Sequence, residues 1–198
     1  MAATFQHFTC LYNQLFLHLM GLYEIAATLN STRAPEAIPR SIVEGLAKAV
    51  GAKGCSLMLL TPDKKTLTHN VAYGLSDCYV RKGPVSVDKS ISESLEGKPV
   101  AVLDASKDER IQYREQAKKE GIASILSVPM MLRDEIIGVI RVYTAERRHF
   151  TMEDMYFVGA VANLGAIALE NAKLYEALRK DYETFRREML EHHPLRDW

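Results

Sequence analysis

From Thr151 to about Leu190 the chain carries two adjacent apolar stripes at helical spacing, and this pattern constrains the fold more than any other feature. Val161, Leu164, Ala168, Asn171, Tyr175, Leu178, Tyr182, Phe185 and Met189 alternate steps of three and four, and Val158, Ala162, Gly165, Leu169 and Ala172 lie beside them. Residues three and four apart share one face of a helix. Two stripes therefore need two partners, one stripe covering a sheet and the other facing a second helix. In Phe150-Thr151-Met152-Glu153-Asp154 the threonine is a capping residue, and the two acids suit the helix dipole. Beyond Tyr175 the apolar positions thin to a narrow seam, which fits a coiled-coil exit better than a globular wall.

The start of the chain has a seam of its own. Phe8, Tyr12, Leu15, Leu19, Leu22, Ala26 and Leu29 recur in heptad fashion and predict a long first helix. Ser31 or Thr32 can cap a second helix with Pro35 in its first turn and a core stripe of Ile38, Ile42, Val43, Leu46 and Val50, stopped by Gly51 and Gly54. Cys55–Leu60 and Thr66–Tyr73 read as strands across a Thr61–Lys65 turn, the second with Leu67, His69, Val71 and Tyr73 alternating. The stretch 75–99 is irregular, with a short helix around Ile91–Leu95. Val100–Leu103 is a third strand, and Ser106–Glu120 is a loop and surface helix whose few apolar residues are Ile111, Tyr113 and Ala117. Ile122–Leu132 and Ile136–Thr144 form a hairpin across Arg133-Asp134-Glu135, with Gly138 marking close packing. Strands grouped between flanking helices make an α+β architecture.

Composition removes several functions. Lys+Arg and Asp+Glu both number 25, and no basic stripe dominates. That argues against binding nucleic acid by phosphate neutralisation and against docking on an anionic membrane. The 198 residues suit one domain with helical extensions. Cys10, Cys55 and Cys78 are odd in number and form no CxxC pair, as inert thiols in a reducing cytoplasm would be. The first 24 residues lack a span-length apolar run and the basic start of a signal peptide, so a cytoplasmic location is expected. The tail 192–198 is expected to be loose.

Several segments, in this order, resemble the GAF domain family. They are Val50-Gly51-Ala52 before the first strand, Ala72-Tyr73-Gly74 after the second, and Glu96-Gly97-Lys98-Pro99-Val100 leading to Asp104. Gly121-Ile122-Ala123-Ser124-Ile125-Leu126-Ser127-Val128-Pro129 is similar to the family's G-x-x-S-x-L-x-VP strand, Ile137-Gly138-Val139-Ile140 to its IGVL strand, and Phe150-Thr151 through Asn171-Ala172-Lys173-Leu174-Tyr175 to its closing helix. The resemblance implies a central antiparallel sheet of five to six strands in a GAF/PAS-like arrangement. The N- and C-terminal helices would cover one face, and loops and short helices would form a pocket on the other. The implied division is an N-terminal dimerisation helix at 1–30, the GAF domain at 31–172 and a C-terminal helical extension at 173–191. Family members bind cyclic nucleotides, tetrapyrroles, haem, amino acids or 2-oxo acids, so the fold does not name a ligand.

Strand alternation proposes a pocket face. If the greasier set Leu126, Val128, Met130, Ile140 and Val142 meets the helices, then Ser127, Arg141 and Tyr143 point to the pocket. Arg141 could there grip a carboxylate or phosphate; otherwise it pairs with a nearby acid. The resemblance places Tyr73, Asp104 and Tyr113 at pocket rims, as ligand contacts or as ordinary rim packing and a strand cap. His69 could ligate haem iron, although a lone histidine is more simply a satisfied core or surface group. Cys78 lacks the neighbouring histidine that bilin-binding relatives carry. The asparagine-lysine-phenylalanine signature of cyclic-nucleotide binders is missing, and Cys55 and Cys78 are not in the context of the methionine sulfoxide reductases of the family. No metal site and no particular cofactor is indicated.

The sequence thus predicts a regulatory module, not an enzyme. It would bind a small molecule, dimerise through its terminal helices and signal to a partner protein, with no nucleic-acid or membrane role. A ligand-free dimerisation scaffold is the alternative, and a thiol-dependent redox enzyme a third.

Overall fold

The computed structural model describes residues 16–28, 37–87 and 97–192. The seam positions Phe8, Tyr12, Leu15 and Leu29, the caps Ser31 and Thr32, Pro35, Cys10, the helix at Ile91–Leu95 and the tail beyond 192 lie outside these residues. The described elements are α1 (16–28), α2 (Ile38–Ala49), β1 (Gly54–Leu60), β2 (Thr66–Tyr73), α3 (Asp77–Val80), β3 (Val85–Ser86), β4 (Val100–Val102), α4 (Arg114–Lys119), β5 (Ser124–Leu132), β6 (Glu135–Thr144) and α5 (Met152–His192). The strands form one six-stranded antiparallel sheet, in the order β3-β2-β1-β6-β5-β4. The elements α3 and β3 fall in the stretch that the sequence leaves irregular; four and two residues are too few to show a period.

Helices α2 and α5 cover one face. Ile42, Val43, Leu46, Val158, Val161, Ala162, Ala166 and Leu169 bury against Leu57, Leu126, Val128, Met130, Ile140 and Val142. By length and composition alone α5 could cross a membrane, with a mean hydropathy of 1.2 in its most apolar window, but half of that window is buried inside the protein. The opposite face carries the loop residues and short helices in two smaller clusters, one around Tyr79, Ile125 and Tyr143, the other around Met58, Leu67, Val85 and Val139.

Three local devices set the registers. The β5–β6 turn places Arg133 and Asp134 at φ +49° and +65°, the left-handed pair that a two-residue hairpin of right-handed twist requires. Gly138 on β6 lies close against β1, where a Cβ would come 2.3 Å from the Met58 carbonyl oxygen. Between β1 and β2 the pairing steps from Leu57–Val71 to Met58–His69, so Asn70 is an extra residue, a β-bulge. Leu67 and His69 then lie on the loop face, while Val71 and Tyr73 pack on the helix side. The unbroken alternation expected from Leu67 to Tyr73 is thereby corrected.

The first helix also differs from its expected seam. Its buried residues are His18, Gly21 and Ile25, while Leu19 is exposed and Leu22 and Ala26 are half-buried. Docking turns on small residues and one polar anchor. A Cβ on Gly21 would come 2.5 Å from the Ala49 Cβ, so α1 lies close against α2.

Candidate functional site

The far face of the sheet holds a buried polar row. Register aligns Ser127 on β5, Arg141 on β6 and Ser56 on β1 as cross-strand neighbours, and Tyr143 is next along β6. All four are buried, although polar side chains are costly to desolvate unless they are hydrogen-bonded. The row satisfies itself in part: Tyr143 Oη lies 2.9 Å from Ser56 Oγ, and the Arg141 guanidinium also hydrogen-bonds the phenol. Arginine only donates, so the Tyr143 oxygen accepts from Arg141, while either hydroxyl of the Ser56–Tyr143 pair can be the donor. Burial pushes the Tyr143 phenol up from its ordinary range and keeps it protonated.

A second group, of basic side chains, sits over this row. Lys82 follows α3. Its Nζ donates to the Tyr79 carbonyl at 3.0 Å, lies 3.0 Å from His69 Nε2 and stands 3.7 Å from the centre of the Tyr79 ring. Tyr79 in turn meets the Tyr143 ring edge-on at 5.8 Å. Burial and then the Arg141 charge pull Lys82 down to about 7. Burial, Lys82 and Arg141 pull His69 down to about 4. The imidazole is therefore neutral near pH 7. Against the Lys82 ammonium, which only donates, its Nε2 accepts and the proton lies on Nδ1, a buried nitrogen with no hydrogen-bond partner among the described residues. Glu120 is the acid whose charge reaches Lys82, and it already accepts from both the Ser76 amide and hydroxyl. The chemistry of the cluster is donation: an ammonium, an imidazole N–H and a guanidinium converge in a desolvated place.

The residues expected at the pocket separate into two groups. Ser127, Arg141 and Tyr143 share the polar row. Tyr113 stands at its margin, its ring 5.7 Å from Lys82 Nζ and its hydroxyl donating to the Pro84 carbonyl at 2.9 Å. Asp104 lies apart. It accepts from the Ser106 amide and hydroxyl at 3.1 and 2.6 Å and pairs with Arg147, so it caps a turn. Tyr73 is on the opposite face, carried there by the bulge at Asn70. Ser56, Tyr79 and Lys82 were not legible as site residues. Ser56 is one serine in an apolar run, and Lys82 is placed by a four-residue helix. The bulge also decides that His69 joins them. Among the described residues no three His, Cys, Asp or Glu side chains gather as a metal would require.

A separate groove of about 610 Å³ opens on the helix side, where α5 leaves the sheet, floored by Pro39, Leu59, Val71 and Leu169 with Asn70 and Lys173 at its edge. The thiols do not meet: Cys55 is buried in the helix-side core, where desolvation raises its thiol pKa, and Cys78 is exposed on α3.

A family model described as a GAF domain matches residues 32–170. The chain is 27% identical over 139 residues to the methyl sulfide methyltransferase-associated sensor of Methanosarcina acetivorans, covering 67% of this chain and 14% of that protein. The chain thus spans only a small part of that relative. Among solved structures, the GAF domain of a phosphoenolpyruvate-protein phosphotransferase from Coxiella burnetii superposes with a TM-score of 0.73 at 21% identity, over 82% of this chain and 98% of that one. A free methionine-R-sulfoxide reductase from Neisseria meningitidis gives 0.68 at 17%, over 81% and 93%. At these identities the likeness to solved structures is one of fold.

Proposed function

The chain belongs to the GAF domain family, and on that premise we propose that it is a sensing module of signal transduction, in which a small anionic ligand bound over the far face of the sheet alters the packing of the terminal helices. The observation that carries this reading is the convergence of Lys82, His69 and Arg141 above buried Ser56, Ser127 and Tyr143. Lys82, buried beside the Arg141 charge, gains most from an anion, which would offset that repulsion and use the open His69 donor. The Methanosarcina acetivorans relative is named as a sensor, which agrees with this role. The two terminal helices, which expose Leu19, Tyr23, Tyr175 and Leu178, are proposed to join two copies and to pass the signal to a partner protein. No catalysis is part of the proposal: a buried, protonated Cys55 is a poor nucleophile and stands apart from Cys78.

The test is a thermal-shift panel of acetate, succinate, benzoate and inorganic phosphate against matched neutral amides. Stabilisation by an acid and not by its amide, lost in both Arg141→Met and Lys82→Met, is the expected result. Equal shifts with acid and amide, or shifts that survive both substitutions, would contradict the site.

A second reading has its own observation. Much of the far face is filled by the protein's own Met58, Leu67, Val85, Val139 and Tyr143, as a ligand-free dimerisation scaffold would have it. Silence across the panel, with an intact dimer, would favour this reading.

A further inference from the structure

Helix α5 continues well past the body it packs on. It is 41 residues long, yet its contacts with the helix-side core end near Leu169. From Tyr175 onward Tyr175, Leu178, Tyr182, Phe185 and Met189 stand between 50% and 69% exposed. Most helical stability in proteins comes from packing of an apolar face, and a stripe of large apolar side chains along this projecting segment needs cover.

Heptad geometry identifies the cover. Steps of three and four put Tyr175, Tyr182 and Met189 at a and Leu178 and Phe185 at d. The flanks are then fixed. The g positions following Tyr175's heptad are Asp181 and Glu188, both acidic, and the e positions are Arg179 and Arg186, both basic. In a parallel pair each g faces the e of the partner's next heptad, so Asp181 meets Arg186 of a second copy, and the two-fold axis repeats the contact. In an antiparallel pair g faces g and e faces e, which sets acid against acid and arginine against arginine. Arg179 also holds Glu183 on its own helix at 3.0 Å, a pair that keeps this face helical without occupying the a/d seam.

We infer that two copies join through residues 175–189 as a parallel, in-register coiled coil, with Asp181 paired to Arg186 across the seam in both directions. This rests on the dimer reading above and adds its direction and register. A parallel exit brings the two C-terminal ends side by side, so a change in one sheet reaches both ends as a rotation or shift of the pair.

The test uses the full chain with Cys10→Ser and Cys78→Ser, carrying either Leu178→Cys or Phe185→Cys. Both variants should form disulfide-linked dimers on oxidation, because each d residue meets its own copy in a parallel register. An antiparallel pair can bring at most one of the two positions against itself. In sedimentation, Asp181→Arg should weaken the dimer about tenfold, and adding Arg186→Asp should restore it. A dimer in which only one cysteine position links, or which Asp181→Arg strengthens, would overturn the parallel arrangement and leave dimerisation intact. A monomer at all concentrations would overturn both.

Discussion

At the scale of single residues, the site depends on groups whose charge the fold opposes. Arg141 and Tyr143 were legible because strict alternation on β6 separates them from Ile140 and Val142, and Ser127 follows by the same rule on β5. Lys82 was not, and His69 was legible only as a lone histidine, since no pattern in sequence links a lysine after a four-residue helix to a histidine beside a bulge. Lys82 also supplies a test. Its folded pKa of about 7 lies below the model-peptide value of 10.5, so between these limits the unfolded chain binds more protons than the folded one. Stability should therefore rise as pH climbs from about 7 toward 10, by at most about 1.4 kcal/mol per pH unit. Urea melts should show this rise in the wild type and a flatter profile in Lys82→Met. The same slope in both proteins would mean that Lys82 is not desolvated as described.

At the scale of elements, the closing helix was the most legible part of the chain, and its start shows why. Thr151 Oγ1 accepts from the Asp154 amide at 3.2 Å while Asp154 Oδ2 accepts from the Thr151 amide at 3.0 Å, the reciprocal cap that the residue types announce. The same carboxylate has a second use that the sequence concealed. Arg148 bridges Asp154 at 2.9 Å and the Val50 carbonyl at 2.6 Å. His18 on α1 reaches Asp154 at 3.5 Å and stacks on Phe157 with ring centres 4.5 Å apart. One clasp thus ties α1, α2 and α5 together, built from residues far apart in sequence. Burial lowers the His18 pKa from 6.5; Asp154 and Glu153 oppose that shift and Arg148 adds to it. The undocked helix consequently takes up a proton before the docked one, and docking should weaken as pH falls below about 6.5. His18→Phe keeps the ring stack and removes the titration. Its stability relative to wild type should improve as pH drops from 7 to 5 in urea melts; a difference that does not vary with pH would show that His18 titrates normally. The bulge at Asn70 is the counterexample at this scale: one unpaired residue moves Tyr73 to the helix face, and no alternation rule detects it.

At the scale of the whole molecule, the sheet separates two environments. A donor-rich cluster with Lys82, His69 and Arg141 lies on the loop face, and α2 and α5 lie across the other, joined through strands β1 and β6 that contribute to both. The α+β class and the family were legible because short segments recur in order along the chain. The donor-rich cluster was legible only in part, because the loop face is assembled from irregular segments. The central claim is that binding on the loop face is felt in the helices behind it. Hydrogen–deuterium exchange of the full chain, with and without the panel compound that stabilises it most, tests this directly. The account predicts added protection in β1 and β6 together with altered exchange along α5 from residue 168 to 190. Protection confined to the groove around Val71 and Leu169, or to the strands with α5 unchanged, would contradict it.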